Sequence, residues 1–122
     1  MAGRRPDGAL EREVLRVLWA TDEALTPASV NEHLNGDLAY TTVMTVLTRL
    51  HKKGLVAREA HGRAYRYRPA LSESEYAAQR MAGVLDAASD HASVLAGFVD
   101  GLSPGDAQHL RRLLRRAEDA SS

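Results

Sequence analysis

A chain of 122 residues has room for one or two small domains and none for a large enzyme. Its hydrophobic share of 44% and charged share of 26% are those of an ordinary globular protein, and without cysteine it forms neither disulfides nor thiolate metal sites. The formal charge of zero hides a segregation: residues 39–69 hold Arg49, Lys52, Lys53, Arg58, Arg63, Arg66 and Arg68 against Glu59 alone, a balance of +6 between flanks of −3 each. Such a block is either a polyanion footprint or a solvated charged face.

The N-terminal "MAGRRPDG" is followed by no apolar run, so no signal peptide is expected. No uncharged stretch is long enough to span a bilayer, and a cytoplasmic protein is expected. A first helix is predicted from about Gly8 to Ala20, capped by Asp7, with Leu10, Val14, Val17 and Leu18 on one face and Trp19 in the core at its end. The second helix opens at Thr26 as N-cap with Pro27 at N1, and Leu25 and Val30 occupy the staple positions. It buries Val30 and Leu34 and stops near Asn35-Gly36.

Next comes "AYTTVMTVLTRLHKKG" (39–54), rich in β-branched residues that form helices poorly. Read as a strand, neither face is cleanly apolar. Read as a helix, Val43, Val46, Leu47 and Leu50 form one stripe, while Thr41, Thr45, Thr48 and Lys52 line the opposite side. Lys52 and Lys53 suit the last turn, and Gly54 supplies the C′ stop. "LVAREA" and "RAYRYRP" then read as two strands joined by His61-Gly62, with Tyr65 and Tyr67 on one face and Arg66 and Arg68 on the other. Three helices and a hairpin, with the positive charge in the last two elements, is the order of a winged helix-turn-helix domain, here residues 1–70.

Residues 71–122 read as three helices. Ser72 and Glu75 match a capping box ahead of a face with Tyr76, Met81, Val84 and Leu85. Asp90 caps a short helix bearing Val94, Leu95, Phe98 and Val99. Ser103, Pro104 and Asp106 start a last helix with Leu110, Leu113, Leu114 and Ala117 at i, i+3, i+4 and i+7. Three helices of this size make a thin core alone, which predicts a dimerisation domain unless they pack on the N-terminal domain of the same chain. The fold class expected is mostly α with a small β-wing. The five histidines are scattered, no HExxH, phosphate loop or nucleophile elbow is present, and neither an enzyme nor a metal or cofactor site is expected.

The stretches "LEREVLRVLW" (10–19), "TPASVNEHL" (26–34), "AYTTVMTVLTRLHKKGLV" (39–56), "RAYRYRP" (63–69) and "SVLAGFVDGLSPGDAQHLRRLL" (93–114) together resemble the BlaI/MecI family of bacterial penicillinase and methicillin-resistance repressors. The resemblance covers nearly the whole chain. It implies a homodimer, with Tyr76, Met81, Val84, Leu85, Val94, Leu95, Phe98, Leu110, Leu113 and Leu114 as candidates for the shared face. It also implies repression through a palindromic operator in double-stranded DNA. The copper-sensing relatives use C-terminal cysteines, which this chain lacks. Other members are inactivated by a regulatory protease that cuts before a Phe in the short helix. That bond corresponds here to Gly97-Phe98, with Gly where those members carry Asn; Gly97 either weakens the helix for cleavage or permits close helix packing.

In that frame the apolar stripe of the third helix turns Thr41, Thr42, Met44, Thr45, Thr48 and Arg49 outward, where short hydroxyls and methyls can reach base edges. Arg49 reads a guanine or grips a phosphate, the latter favoured by its distance from the helix start. Lys52 and Lys53 are expected as electrostatic contacts, and Arg63, Arg66 and Arg68 as contacts to flanking backbone or minor groove. Tyr40 either donates to a phosphate or packs on the second helix. Two other readings compete: a regulator released from DNA by a small molecule bound between its domains, and a winged helix that binds only protein.

Overall fold

The computed structural model describes residues 7–36 and 38–121. The N-terminal segment read for a leader, and the side chain of the expected cap Asp7, lie outside the described residues. The described residues form six helices and one two-stranded antiparallel sheet: α1 (Asp7–Trp19), α2 (Pro27–His33), α3 (Tyr40–Lys52), β1 (Val56–His61), β2 (Ala64–Pro69), α4 (Glu73–Ala87), α5 (His91–Asp100) and α6 (Pro104–Ser121). The chain is mostly α with a small β-wing, and it divides between Ala78 and Gln79 into two compact units. That division falls inside α4, because the first turn of the helix packs back on α1: Tyr76 lies 5.5 Å from Trp19, centroid to centroid. The Trp19 indole also donates to the Leu71 carbonyl at 3.0 Å.

The N-terminal unit is a winged helix-turn-helix. Its core gathers Val14, Leu15 and Leu18 of α1, Val30 and Leu34 at α2, Val43, Val46, Leu47 and Leu50 of α3, and Val56 and Tyr67 of the hairpin. Leu15 is fully buried, while Leu10 and Val17, expected beside Val14 and Leu18, are only partly covered. The reason is that α1 packs on α2, α3 and β2 together, which turns its buried arc toward Leu15 and away from Leu10 and Val17.

Both helix ends that frame the turn are set by local chemistry. Thr26 accepts from the Ser29 amide at 3.2 Å, with Pro27 buried at the first helical position. After α2, Asn35 at φ 72° and Gly36 at φ 70° reverse the chain, and the Asn31 amide clamps the connection by donating to the Leu38 carbonyl at 2.7 Å. Past α3, the Gly54 amide reaches the His51 carbonyl and the Leu55 amide the Leu50 carbonyl, both at 3.0 Å, with Gly54 at φ 77°. This is a Schellman closure, and it stops the helix where the sequence predicts.

In the wing, the two-residue loop is Gly62-Arg63 and not His61-Gly62, since His61 pairs with Ala64. Gly62 holds φ 63° at the first loop position, the requirement of a type II′ turn. Tyr65 and Tyr67 do share a face; Tyr67 is buried while Tyr65 is exposed. Leu25 exchanges both backbone hydrogen bonds with Tyr67, at 2.9 and 2.7 Å, so the outer edge of β2 is paired as well.

At the starts of α4, α5 and α6 every predicted cap forms. The Ser72 amide donates to Glu75 and the Glu75 amide to Ser72 Oγ, the Ser93 amide donates to Asp90, and the Asp106 amide to Ser103 Oγ. Yet α4, α5 and α6 contain no buried residue.

Candidate nucleic-acid interface

The geometry of α3 follows from its sequence period. With Val43, Val46, Leu47 and Leu50 in the core, Thr41, Thr42, Thr45 and Arg49 are exposed. Met44 and Thr48, expected fully outward, are half-buried at the margins of that face. Tyr40 is 52% exposed at the first turn rather than packed away. Thr45 Oγ1 donates to the Thr41 carbonyl at 2.8 Å. Its hydrogen is thus committed to the helix, and what it presents to solvent is a pair of oxygen lone pairs and a methyl group. Leu10, at the start of α1, joins Thr41, Thr42, Thr45, Val46 and Arg49 around a shallow depression. No sequence signal placed Leu10 there, because its neighbours on α3 lie more than thirty positions away.

The basic end of α3 is divided. Lys52 is exposed and continues the Thr41, Thr45, Thr48 line. Lys53 instead turns to α1, where its ammonium meets both carboxylate oxygens of Glu11, within 2.7 Å. Glu11 is a site residue that sequence reasoning missed.

On the wing, Arg63 sits exposed in the turn. Arg66 donates to His61 Nε2 at 2.9 Å, and Arg68 lies 3.8 Å from Glu59, so these two share one face with a single acid between them. Arg58, counted in the basic block but given no role, stands on the other face with its guanidinium 4.2 Å above the Tyr65 ring. The strand register explains that stacking, since Arg58 is diagonal to Tyr65 across the hairpin.

The C-terminal candidates divide as well. Met81, Val84, Val94, Leu95, Phe98, Leu113 and Leu114 are exposed, whereas Leu85 and Leu110 are half-buried. Met81, Val84, Leu85, Val94, Leu95 and Phe98 line one almost wholly apolar depression of about 390 Å³ between α4 and α5. Tyr76 is not part of it; its ring is used on Trp19 in the N-terminal unit. A side chain added at Gly97 would meet nothing within 4 Å among the described residues, so close packing among them does not explain that glycine.

A family model described as penicillinase repressor matches residues 8–116. The chain is 43% identical to the transcriptional regulator BlaI of Mycobacterium tuberculosis over 116 residues, 91% of this chain and 84% of that protein. Among solved structures, it is similar to monomeric Bacillus licheniformis BlaI in complex with the blaP half-operator (28% identity, TM-score 0.45, 62% of this chain and 89% of that one). It is also similar to Staphylococcus aureus MepR, a transcription regulator of a multidrug efflux pump (16% identity, TM-score 0.47, 93% and 80%). The chain belongs to the penicillinase repressor family, a family of DNA-binding transcriptional repressors and not of enzymes.

Proposed function

We propose that the chain represses transcription as a cytoplasmic homodimer on a palindromic operator, with α3 of each copy in a major groove. The observation that carries this reading is the exposed face of α3, where four short or basic side chains, Thr41, Thr42, Thr45 and Arg49, stand clear of a fully buried apolar stripe. Such a face can approach base edges closely, and Lys52 and Arg63 extend it toward the phosphates. The dimer is supported by the apolar residues of α4, α5 and α6, which nothing covers among the described residues. A lone recognition helix reads only a few base pairs, and two-fold symmetry doubles the site.

Selection of bound duplexes from a random library tests this. Enriched sequences with two-fold symmetry and one-turn spacing of half-sites are expected. Enrichment of an unsymmetrical site, or no enrichment, overturns it.

Relief of repression by a protease at Gly97-Phe98 is supported by two observations. Phe98 is 44% exposed, and Gly97, at a position where glycine costs a helix roughly 1 kcal/mol relative to Ala, has no packing duty among the described residues.

A further inference from the structure

Resting on the reading of α3 as the DNA-facing helix, we infer that Glu11 withholds Lys53 from the DNA backbone and so limits the sequence-independent affinity of the repressor. The sequence offers "KK" at the end of α3 as two equivalent phosphate contacts, and the structure makes them unequal. Lys52 falls on the line of Thr41, Thr45 and Thr48. Lys53, one residue on, is rotated by about 100° toward α1. There its ammonium is held by both oxygens of the Glu11 carboxylate.

The two partners differ in exposure: the Glu11 side chain is 12% exposed and that of Lys53 56%. A sheltered carboxylate needs a cation more than an exposed ammonium needs an acid. Moving Lys53 to a phosphate would leave Glu11 unpaired beside an incoming polyanion. The ion pair therefore persists in the complex, and Lys53 displaces no counterions from DNA. Glu11 acts as a positioning residue with a consequence for specificity. A repressor competes with itself on a large excess of non-specific sites, so each phosphate contact omitted from non-specific binding leaves more protein for the operator.

Affinity for a random-sequence duplex, measured by fluorescence anisotropy from 50 to 200 mM salt, tests the inference in full-length protein. Each phosphate contact contributes about 0.9 to the slope of log K against log salt. Lys52→Gln is expected to lower the slope by about 0.9, and Lys53→Gln to leave it unchanged. Glu11→Gln, which frees Lys53 at nearly constant shape, is expected to raise the slope by about 0.9 and to tighten binding several-fold at 100 mM salt. The double variant Glu11→Gln/Lys53→Gln should return to the wild-type slope, which separates released charge from any change in folding. A Lys53→Gln slope as low as that of Lys52→Gln overturns the inference, as does a Glu11→Gln slope equal to wild type. If Lys52→Gln also leaves the slope unchanged, the assignment of α3 to DNA fails, and the inference falls with it.

Discussion

Thr45 shows how a single side chain can be both a helix element and a reader. Its hydroxyl hydrogen is taken by the Thr41 carbonyl, a back-bond that β-branched hydroxyl residues make inside helices. Under the proposed reading, Thr45 can accept a hydrogen bond from a base amino group and touch a thymine methyl, and it cannot donate. Thr45→Val keeps the shape and the methyl and removes the acceptor. Against single-base variants of the selected operator, it should lose about 1 kcal/mol of discrimination at one amino-bearing base, the usual net worth of one hydrogen bond, and keep any preference for thymine. Thr45→Ala should lose both. Equal discrimination by wild type and Thr45→Val would place this residue outside base readout.

At the scale of elements, the helices of the two units are held in different ways. In the N-terminal unit each helix is pinned by a buried face, and caps adjust its ends. In α4, α5 and α6 no described residue is buried, and each of these helices starts at a hydrogen-bonded side-chain cap. Both carboxylates that cap these helices are held below their ordinary range: Glu75 by the Ser72 amide and then the Ser72 hydroxyl, Asp90 by the Ser93 hydroxyl and then the Ser93 amide. A folded-state pKa below the unfolded one means that the unfolded chain binds the proton more readily. The stabilisation from these caps is therefore complete above the ordinary values, 4.5 for Glu75 and 3.8 for Asp90, and is lost as pH falls through the lowered folded values. Helical circular dichroism during acid titration should show α4 and α5 weakening below about pH 4.5. Asp90→Asn, which still caps through its amide oxygen, should remove part of that pH dependence while leaving helicity at neutral pH intact. An unchanged acid profile in Asp90→Asn would exclude Asp90 from the effect.

For the whole molecule, the exposed apolar residues of α4, α5 and α6 are the feature that the single chain leaves unexplained. Eight large hydrophobic side chains between Met81 and Leu114 stand 39% exposed or more, a density that ordinary monomer surfaces avoid. A second copy is the proposed cover. Leu114→Glu places a charge in that surface and should convert dimer to monomer in sedimentation velocity, with loss of tight binding to the full operator and retention of weak half-site binding. The same monomer should be cut first at Gly97-Phe98 by a broad-specificity protease. A first cut between α4 and α5 instead would remove the support for a weak point in α5, and a variant that stays dimeric would move the interface elsewhere.

Much of this was legible along the chain. Caps at Thr26, Ser72, Asp90 and Ser103, and the closure at Gly54, involve groups within five residues of one another, so the sequence by itself determined where α2, α4, α5 and α6 begin and where α3 ends. The period of Val43, Val46, Leu47 and Leu50 likewise settled that a β-branched segment is a helix and which way it faces, because burial of one stripe outweighs weak propensity. What only the tertiary structure decided are the pairings between distant segments: Trp19 with Leu71 and Tyr76, Leu25 with Tyr67, and above all Lys53 with Glu11, 42 positions apart. Met44 and Thr48 lost part of their expected exposure, and Leu15 gained burial, for the same reason. Periodicity orients a helix to within a face, while the width of that face, and the partner met at its edge, depend on which other elements the fold brings against it.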